Sequence, residues 1–194
     1  YEIDGVKYTV EGLDANASGT DAGEYKAEVT GTAVVKDQDG NDVTNQFEVK
    51  TEDGKLTINK LAIELKADSA TKPYDGTALT ANGYTIASGK FVKEEGLKSV
   101  TVEGSQTLVG ESENTITDYE LKDNTKADNY TITTTNGTLK VTDREEGSKL
   151  EITVTANSDV VDYTGDEQTV SGLTKTEYEI DGVKYTVEGL DANA

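Results

Sequence analysis

LAIELKADS, at residues 61–69, places apolar side chains at alternate positions, and residues 150–158 repeat this pattern as LEITVTANS. Alternation with a period of two indicates a half-buried β-strand. Shorter runs of the same kind, rich in β-branched side chains, recur along the chain at 6–10, 100–102, 130–132 and 139–141. No amphipathic helix longer than a turn or two stands out. The sequence therefore predicts an all-β protein.

Asp-Gly and Asn-Gly pairs separate several of these runs and predict tight hairpins, because both residues tolerate a positive φ. In the opening stretch YEIDGVKY, a turn at Asp4-Gly5 places Ile3 opposite Val6. The same register sets Glu2 opposite Lys7 and Tyr1 opposite Tyr8. The apolar residues then share one face of the predicted hairpin.

The same reasoning predicts two further hairpins. A turn at Asp53-Gly54 within 47–58 would place Val49 opposite Ile58. A turn at Asn136-Gly137 within 130–141 would likewise pair Ile132 with Val141.

Two periods organise the chain. Residues 1–17 recur at 178–194 without a substitution, which defines a period of 177 residues. A degenerate half-period matches 61–76 with 150–165. It also matches TDAGE at 20–24 with TLVGE at 107–111, and 47–58 with 130–141. Two alternating repeat types are therefore expected.

The repeat boundaries follow from these matches. Residues 61–149 form a complete repeat, which we call type-one. Residues 1–60 form the C-terminal part of a type-two repeat, and residues 150–194 form the N-terminal part of the next one. The sequence is thus expected to be a window cut out of phase with a longer repeating parent. A unit of 88 or 89 residues predicts a small Ig-like β-sandwich in tandem copies. A β-grasp-like fold is the alternative, and it requires a helix.

The composition removes most familiar catalytic and metal chemistry. The chain has no Cys, His, Met or Trp. It therefore cannot build a Ser-His-Asp triad or a zinc, haem or iron–sulfur site of the usual kind. Hard cations with oxygen ligands, such as calcium, remain. We expect that the protein is not an enzyme and that it has no cofactor, with calcium as the one candidate ion.

The charge of the chain limits its partners. The formal net charge is −20, with 38 acidic against 18 basic side chains. Such a chain repels nucleic acid and anionic lipid. No stretch of sequence is apolar enough to span a membrane. The sequence predicts neither a nucleic-acid partner nor membrane insertion.

An acidic loop is the candidate calcium site. Its oxygen-bearing side chains stand close together and partly at alternate positions, at Asp37, Asp39, Asn41 and Asp42. Carboxylates spaced in this way can converge on a hard cation. The alternative is a connecting loop in which Asp and Asn side chains bond to their own backbone.

Lysine and tyrosine side chains suggest two other kinds of site. A Lys–Asn isopeptide cross-link would need a buried lysine, but Lys7, Lys66 and Lys140 fall on outward positions of their strands. Tyr74 and Tyr163 follow the first strand of each repeat. They would serve either as stacking platforms for sugars or as half-buried side chains at a strand corner.

Four motifs carry a resemblance to a known family. They are KPYDGTAL at 72–79, VDYTGDEQ at 161–168, GTDAGEY at 19–25 and DNYTI through NGTLKV at 128–141. In this order and spacing they are similar to the tandem YDG/MBG-type repeats of large bacterial surface proteins and adhesins. The resemblance implies an extracellular, mostly β, Ig-like module, attached to the cell wall or secreted, with no defined reaction or ligand. Type-two departs from the motif by reading Tyr163-Thr164-Gly165.

Repetition, composition and resemblance together predict a structural stalk or spacer repeat that projects a distal domain or forms a filament. The expected partners are neighbouring repeats of the same or another copy of the chain, joined by strand complementation. The alternative function is a module that binds host glycans, such as those of mucin, or a host protein. An enzyme is the third alternative, and the chain offers it neither nucleophile nor base.

Overall fold

The computed structural model describes residues 1–190. Its regular structure consists of fourteen β-strands and three short 3₁₀ turns, and the described residues contain no α-helix. The predicted all-β architecture is confirmed, with several sheets, consistent with a β-sandwich fold. The β-grasp alternative lacks its helix within this part of the chain. Accordingly, no helix in residues 1–190 has the length and apolar character to cross a membrane.

The first five strands build a hairpin and a three-stranded sheet. In chain order they are β1 Glu2–Ile3, β2 Val6–Lys7, β3 Thr9–Asn16, β4 Gly23–Lys36 and β5 Gly54–Ile58. β1 and β2 pair as predicted, with Ile3 opposite Val6 and Glu2 opposite Lys7. β4 lies between β3 and β5, and both pairings are antiparallel.

The next seven strands form two sheets that contain parallel as well as antiparallel pairs. They are β6 Leu61–Ala67, β7 Ala70–Pro73, β8 Tyr84–Ser88, β9 Leu97–Glu103, β10 Gly110–Leu121, β11 Tyr130–Thr135 and β12 Gly137–Thr142. One sheet has the order β11-β6-β8 and the other has the order β7-β12-β10-β9. The β11–β6 and β12–β7 pairs are parallel.

The last two strands, β13 Glu177–Ile180 and β14 Val183–Thr186, repeat the opening hairpin. Ile180 faces Val183, as expected for identical sequence. Residues 150–176 contribute no strand to the described chain, although Ala156 and Leu173 form an isolated antiparallel bridge. The last four residues of the predicted segment 150–194 lie outside the described residues.

The chain divides into two compact units, each built from three segments. The first contains Tyr1–Lys66, Tyr84–Val100 and Asp118–Thr135, and the second contains Ala67–Gly83, Thr101–Thr117 and 136–190. Val35, Ile63, Leu65 and Tyr130 are buried in the first unit. Those buried in the second are Ala67, Val102, Asn114, Ile116, Leu139 and Val141. The repeat boundaries at 60/61 and 149/150 stay a prediction from the sequence.

The two hairpins predicted at Asp53-Gly54 and Asn136-Gly137 are wrong. β11 and β12 are consecutive in the chain but belong to different sheets, so Ile132 faces Ile63 and Val141 faces Lys72 and Gly110. Alternating apolar residues fit any partner strand, so the pattern could not choose between them. Neither Gly54 nor Gly137 has a positive φ, so neither forms a primed hairpin turn.

Gly137 is instead required by close packing of backbone. A Cβ at this position would lie 2.2 Å from the carbonyl oxygen of Asp68 and 2.6 Å from that of Ala67. These distances are too short for any side chain. At the equivalent Gly54, a Cβ would meet only the Cβ of Ala27, at an ordinary 3.6 Å. The glycine is therefore sterically required in type-one but not in type-two.

The degenerate repeat has a structural counterpart in one antiparallel ladder. In type-two, β4 pairs with β5 so that Gly23 faces Ile58 and Ala27 faces Gly54. In type-one, β10 pairs with β12 so that Gly110 faces Val141 and Asn114 faces Gly137. These positions are equivalent in the sequence match. The two repeats thus share strand register as well as sequence.

Candidate functional site

The first strand of the type-one repeat is central to its sheet. β6 lies between β11 and β8, and its parallel register with β11 sets Ile132 opposite Ile63 and Thr134 opposite Leu65. Ile63 and Leu65 are buried. A parallel strand with such residues requires a partner on each side and a covered face.

The type-two counterpart of β11 is the segment 47–52, and it belongs to no strand of the described chain. Its first residue nevertheless has the backbone of a strand. Phe47 has φ −124° and ψ 145°, and the equivalent Tyr130 has φ −126° and ψ 150°. Both residues follow a 3₁₀ turn at equivalent positions, Thr44–Gln46 and Ala127–Asn129. Segment 47–52 therefore begins with the extended backbone conformation of a β-strand.

An open groove lies beside this segment. Its volume is about 220 Å³. Its lining is mainly aromatic and aliphatic and includes Tyr1, Ile3, Tyr8, Val10, Leu13, Val35, Phe47 and Val49. The rings of Tyr8 and Phe47 meet edge to face, with 4.8 Å between centroids. We call this feature the type-two groove.

The neighbouring strand β5 is also less covered than its type-one equivalent. Leu139 of β12 is fully buried, whereas the equivalent Leu56 of β5 is 36% exposed. β12 is flanked by β10 on one side and β7 on the other, while β5 pairs with β4 alone among the described strands. An unpaired strand edge presents free backbone donors and acceptors to another segment.

The sequence equivalents of β6 and β7 are residues 150–156 and 159–162. Within the second of these segments, Val160 is 97% exposed and Val161 is 53% exposed. Neither segment is part of a strand in the described chain. The chain thus contains both an open groove beside segment 47–52 and the sequence equivalents of β6 and β7, which form no strand in the described chain.

A second feature is a polar contact between the two repeats inside the first compact unit, which we call the Asp21 junction. One carboxylate oxygen of Asp21 accepts a hydrogen bond from the Asn129 amide at 2.9 Å, and the other accepts from Lys126 Nζ at 2.7 Å. The Asn129 side-chain oxygen accepts from the backbone N–H of Ala22 at 2.7 Å. Residues from 1–60 and from 61–149 are therefore in direct contact.

Hydrogen bonding also stabilises the charges of this junction. The bond from Asn129, followed by the bond from Lys126, lowers the pKa of Asp21 below its ordinary value. Conversely, the bond to Asp21 raises the pKa of Lys126. Both charged forms are therefore favoured near neutral pH. Only Asn59 and Lys60 stand between β5 and β6, so the linker between the two repeats is short. The junction adds side-chain contacts to this short connection.

The acidic loop has the geometry of a self-capped turn. The Asp37 carboxylate accepts hydrogen bonds from the backbone of Asp39 and from the backbone and side chain of Asn41. Asp42 Oδ1 accepts from the backbone and hydroxyl of Thr44. The bonds from Asn41 lower the pKa of Asp37, and those from Thr44 lower the pKa of Asp42.

These contacts use carboxylate oxygens that a cation would need. Within residues 1–190, no group of three or more acidic side chains is arranged to hold a metal ion. Calcium binding by Asp37, Asp39, Asn41 and Asp42 stays a prediction. The observed bonds match the alternative, in which Asp and Asn stabilise a turn.

The two tyrosines that follow the first strands differ in their surroundings. Tyr74 is half-buried, its backbone N–H donates to the Thr142 carbonyl, and its own carbonyl accepts from Arg144 Nε at 2.6 Å. Tyr163 is 97% exposed. The strand-corner alternative therefore fits Tyr74 and does not fit Tyr163. This difference in exposure agrees with the secondary structure, because strand β7 precedes Tyr74 whereas residues 159–162 form no strand.

The lysines considered for a cross-link lie at the surface. Lys7, Lys66 and Lys140 are exposed, as their outward strand positions predict, and Lys140 bonds to Glu111 at 2.7 Å. Asn114, in contrast, is a fully buried polar side chain, and its amide donates to the carbonyls of Asp68 and Ala81, each at 2.8 Å. This asparagine holds backbone segments together. The sequence signal for it is a polar residue on the inward face of the strand SENTI, at 112–116.

Comparisons with protein-family models, with curated proteins and with solved structures found no match to this chain.

Proposed function

We propose that this chain is a structural stalk or spacer repeat of a bacterial cell-surface, adhesin-like protein rather than an enzyme. The observation that carries the proposal is the Asp21 junction, in which two sequence repeats meet directly through three hydrogen bonds. The shared ladder register of β4–β5 and β10–β12 supports it, because such a register is expected of variants of one repeated unit. The acidic surface suits an exposed, soluble, extracellular protein.

The role is geometric. Short junctions between successive repeats would fix the direction of the next repeat. With strands of about eight residues and a rise of ~3.3 Å per residue, each repeat would add roughly 25–35 Å to a rod. A distal domain would then be carried away from the cell wall by a distance proportional to the number of repeats.

Chains that carry one, two and three copies of the 177-residue period test this proposal. Small-angle X-ray scattering should give a maximum dimension that rises linearly with copy number, as expected for a semi-rigid rod. A dimension that grows as the square root of copy number would indicate flexible beads and would contradict the stalk.

The groove and the exposed donor segments support a specific form of strand complementation. We infer that residues 150–156 of a neighbouring repeat, in the same or another copy, pair in parallel with segment 47–52. The β6–β11 register, transferred through the repeat match, sets Ile152 opposite Val49. Ile152 and Val154 would then cover the type-two groove, as Ile63 and Leu65 are buried in type-one.

Residues 159–162 would continue the pairing. By the β7–β12 register, Val161 lies opposite Ile58 and Val160 opposite Thr57 on the free edge of β5. Pairing would remove Val160 and Val161 from water and bury Leu56 more deeply. Burial of apolar surface contributes about 25 cal/mol per Å².

Cysteine pairs test the register cleanly, because the chain has no natural cysteine. A Val49→Cys copy mixed with an Ile152→Cys copy should form a disulfide-linked heterodimer under mild oxidation. Val49→Cys mixed with Thr155→Cys is the control, because a displacement of three residues places the Cα atoms roughly 10 Å apart, beyond disulfide reach. Equal yields from both mixtures would contradict the register. The double variant Val49→Cys with Ile152→Cys reports pairing within one copy as a faster-migrating monomer.

Binding of a host glycan or host protein is the alternative function. Tyr1, Tyr8 and Phe47 favour it to the extent that they place aromatic rings in one groove. A mucin and glycan screen distinguishes the two uses of this groove. Saturable glycan binding that is lost in Tyr8→Ala would favour the alternative. Absence of binding together with the Val49–Ile152 cross-link would assign the groove to strand pairing.

A further inference from the structure

The loop before β10 presents two exposed apolar side chains. Leu108 is 69% exposed and Val109 is 48% exposed. They belong to TLVGE at 107–111, the type-one equivalent of TDAGE at 20–24. Leu108 therefore corresponds to Asp21, and Val109 corresponds to Ala22. Asp21 and Ala22 are the residues that contact the next repeat in the Asp21 junction.

The two loops are held in the same way by different side chains. The Tyr25 hydroxyl donates to the backbone carbonyl of Asp21 at 2.8 Å. The Gln106 amide donates to the backbone carbonyl of Leu108 at 2.7 Å. Each loop also ends on a glycine with positive φ, at 23 and 110. Leu108 is thus fixed in a loop of the kind that presents Asp21 to its partner.

The partner positions change together with the loop positions. Asp21 binds Lys126 and Asn129, at the 3₁₀ turn that precedes β11. The equivalent 3₁₀ turn in type-two is Thr44–Gln46, so Lys126 corresponds to Val43 and Asn129 corresponds to Gln46. An Asp–Lys pair in one junction is replaced by a Leu–Val pair in the other. The amide that accepts from the backbone of Ala22 is retained as Gln46.

We propose that the Leu108–Val109 surface binds residues 43–46 of a second copy of this chain, with Leu108 against Val43 and Gln46 accepting from the N–H of Val109. The proposal rests on the proposed stalk function and names the contact by which a type-two repeat follows a type-one repeat. Type-two to type-one junctions are ionic, as at Asp21. Type-one to type-two junctions are apolar.

This alternation specifies the order of repeats. A type-one repeat followed by another type-one repeat would place Leu108 against the Lys126 ammonium. A type-two repeat followed by another type-two repeat would leave Asp21 against Val43. Either mismatch sets a charge against an apolar side chain and removes its partner, which disfavours the wrong order.

Exchange of the apolar pair for an ionic pair tests the contact in the full 194-residue chain. Self-association is measured by sedimentation velocity across a concentration series. Leu108→Asp should raise the dissociation constant at least about tenfold, and Val43→Lys should have a similar effect. An equimolar mixture of the two variants should associate again, within about threefold of the original chain, because the new Asp and Lys recreate the Asp21–Lys126 pair. Recovery should weaken as the salt concentration rises.

The matched control is Leu108→Asp mixed with Val43→Asp. It changes the same two positions but opposes two carboxylates, so association should not recover. A chain that remains monomeric at all concentrations, single variants without effect, or a Leu108→Asp and Val43→Lys mixture that fails to recover would each overturn the proposal. These outcomes are distinct from failure of the stalk. Linear growth in length with repeat number, together with no recovery on mixing, would remove this junction and leave the stalk standing.

Discussion

The two repeats share one ladder but differ in what borders it. β12 of type-one lies between β10 and β7, and its Leu139 is inaccessible to solvent. β5 of type-two has the same register with β4 but no strand on its other side in the described chain, and Leu56 is partly exposed. Equivalent residues in equivalent registers thus differ because of their neighbouring strands. The two repeats thus keep the same ladder register, whereas the burial of equivalent residues depends on which strands flank the ladder.

The largest expected difference is between truncations of these two leucines. Leu139→Ala should lower the free energy of unfolding by ~2–5 kcal/mol, because a fully buried side chain leaves a cavity. Leu56→Ala should lower it by no more than about 1 kcal/mol, because its site is partly open. Urea unfolding followed by circular dichroism measures both.

Strand complementation sharpens this comparison. If residues 159–162 of a neighbouring repeat pair with the free edge of β5, as proposed above, Leu56 becomes more buried, so Leu56→Ala should become more destabilising in associated chains than in monomers. Equal losses for Leu56→Ala and Leu139→Ala in dilute monomer would mean that β5 is already covered on its free side.

Two glycines give the next difference. Gly137→Ala should destabilise the chain by roughly 1–3 kcal/mol or more, because the new Cβ would lie 2.2 Å from the Asp68 carbonyl oxygen and must push backbone aside. Gly54→Ala is the matched control. Its backbone has no positive φ and its Cβ has room, so this change should be neutral or stabilise by about 0.4–1 kcal/mol. The thermal midpoints of the Gly137→Ala and Gly54→Ala variants measure this difference. A Gly137→Ala variant as stable as the original chain would contradict the close approach of Gly137 to the Asp68 carbonyl.

The glycines also mark the limit of what local sequence can predict. Alternation predicts the strands, and self-matching predicts the common register of the two ladders. The dipeptide Asn136-Gly137 predicts a hairpin turn, because it favours positive φ. The structure instead needs this glycine for close approach to the backbone at Ala67 and Asp68, which is distant in sequence. Parallel pairing of β6 with β11 is equally non-local, so alternation alone could not predict it.

Of the two candidate sites, the sequence indicates the type-two groove but not the Asp21 junction. The repeat boundaries predict that residues 1–60 lack the equivalents of β6 and β7, and the open type-two groove lies beside the segment that β6 would pair with. The Asp21 junction joins side chains more than a hundred residues apart, and no local pattern indicates such a contact. The substitution of Asp21 and Lys126 by Leu108 and Val43 can be recognised only after one junction is known.

Asn114 provides a smaller test of the same comparison, because its type-two equivalent is Ala27. Asn114→Ala should lower the free energy of unfolding by ~1–3 kcal/mol, since two backbone carbonyls lose their donor. Asn114→Asp should be at least as harmful near neutral pH, because a buried carboxylate cannot donate to these carbonyls. Hydrogen exchange at the backbone amides of β10 and β12 would show whether the loss of stability is centred on this strand pair. A type-one repeat that tolerates alanine here as type-two does would contradict the bridging role.

The smallest expected effect concerns the turn after each first strand, where type-one has Asp75 and type-two has Thr164. Asp75 accepts hydrogen bonds from Lys72 Nζ and from the backbone of Thr77, which hold its pKa well below the ordinary value. A depressed folded-state pKa contributes stability that is present above the unfolded pKa and is lost as pH falls through the folded pKa. Asp75→Thr introduces the type-two residue and removes the partner of Lys72. It should therefore lower the thermal midpoint slightly at pH 6, and the difference from the original chain should shrink as the pH falls below about 4.

Thr164→Asp is the control for this turn, because its exposed loop has Val161 where type-one has Lys72. Without an ammonium to bond, the new carboxylate should leave the midpoint unchanged. A difference for Asp75→Thr that is constant from neutral to acid pH would show that the carboxylate charge contributes nothing. The loss would then come from the hydrogen bonds by which the Asp75 side chain holds the turn at Thr77, and which threonine makes less well.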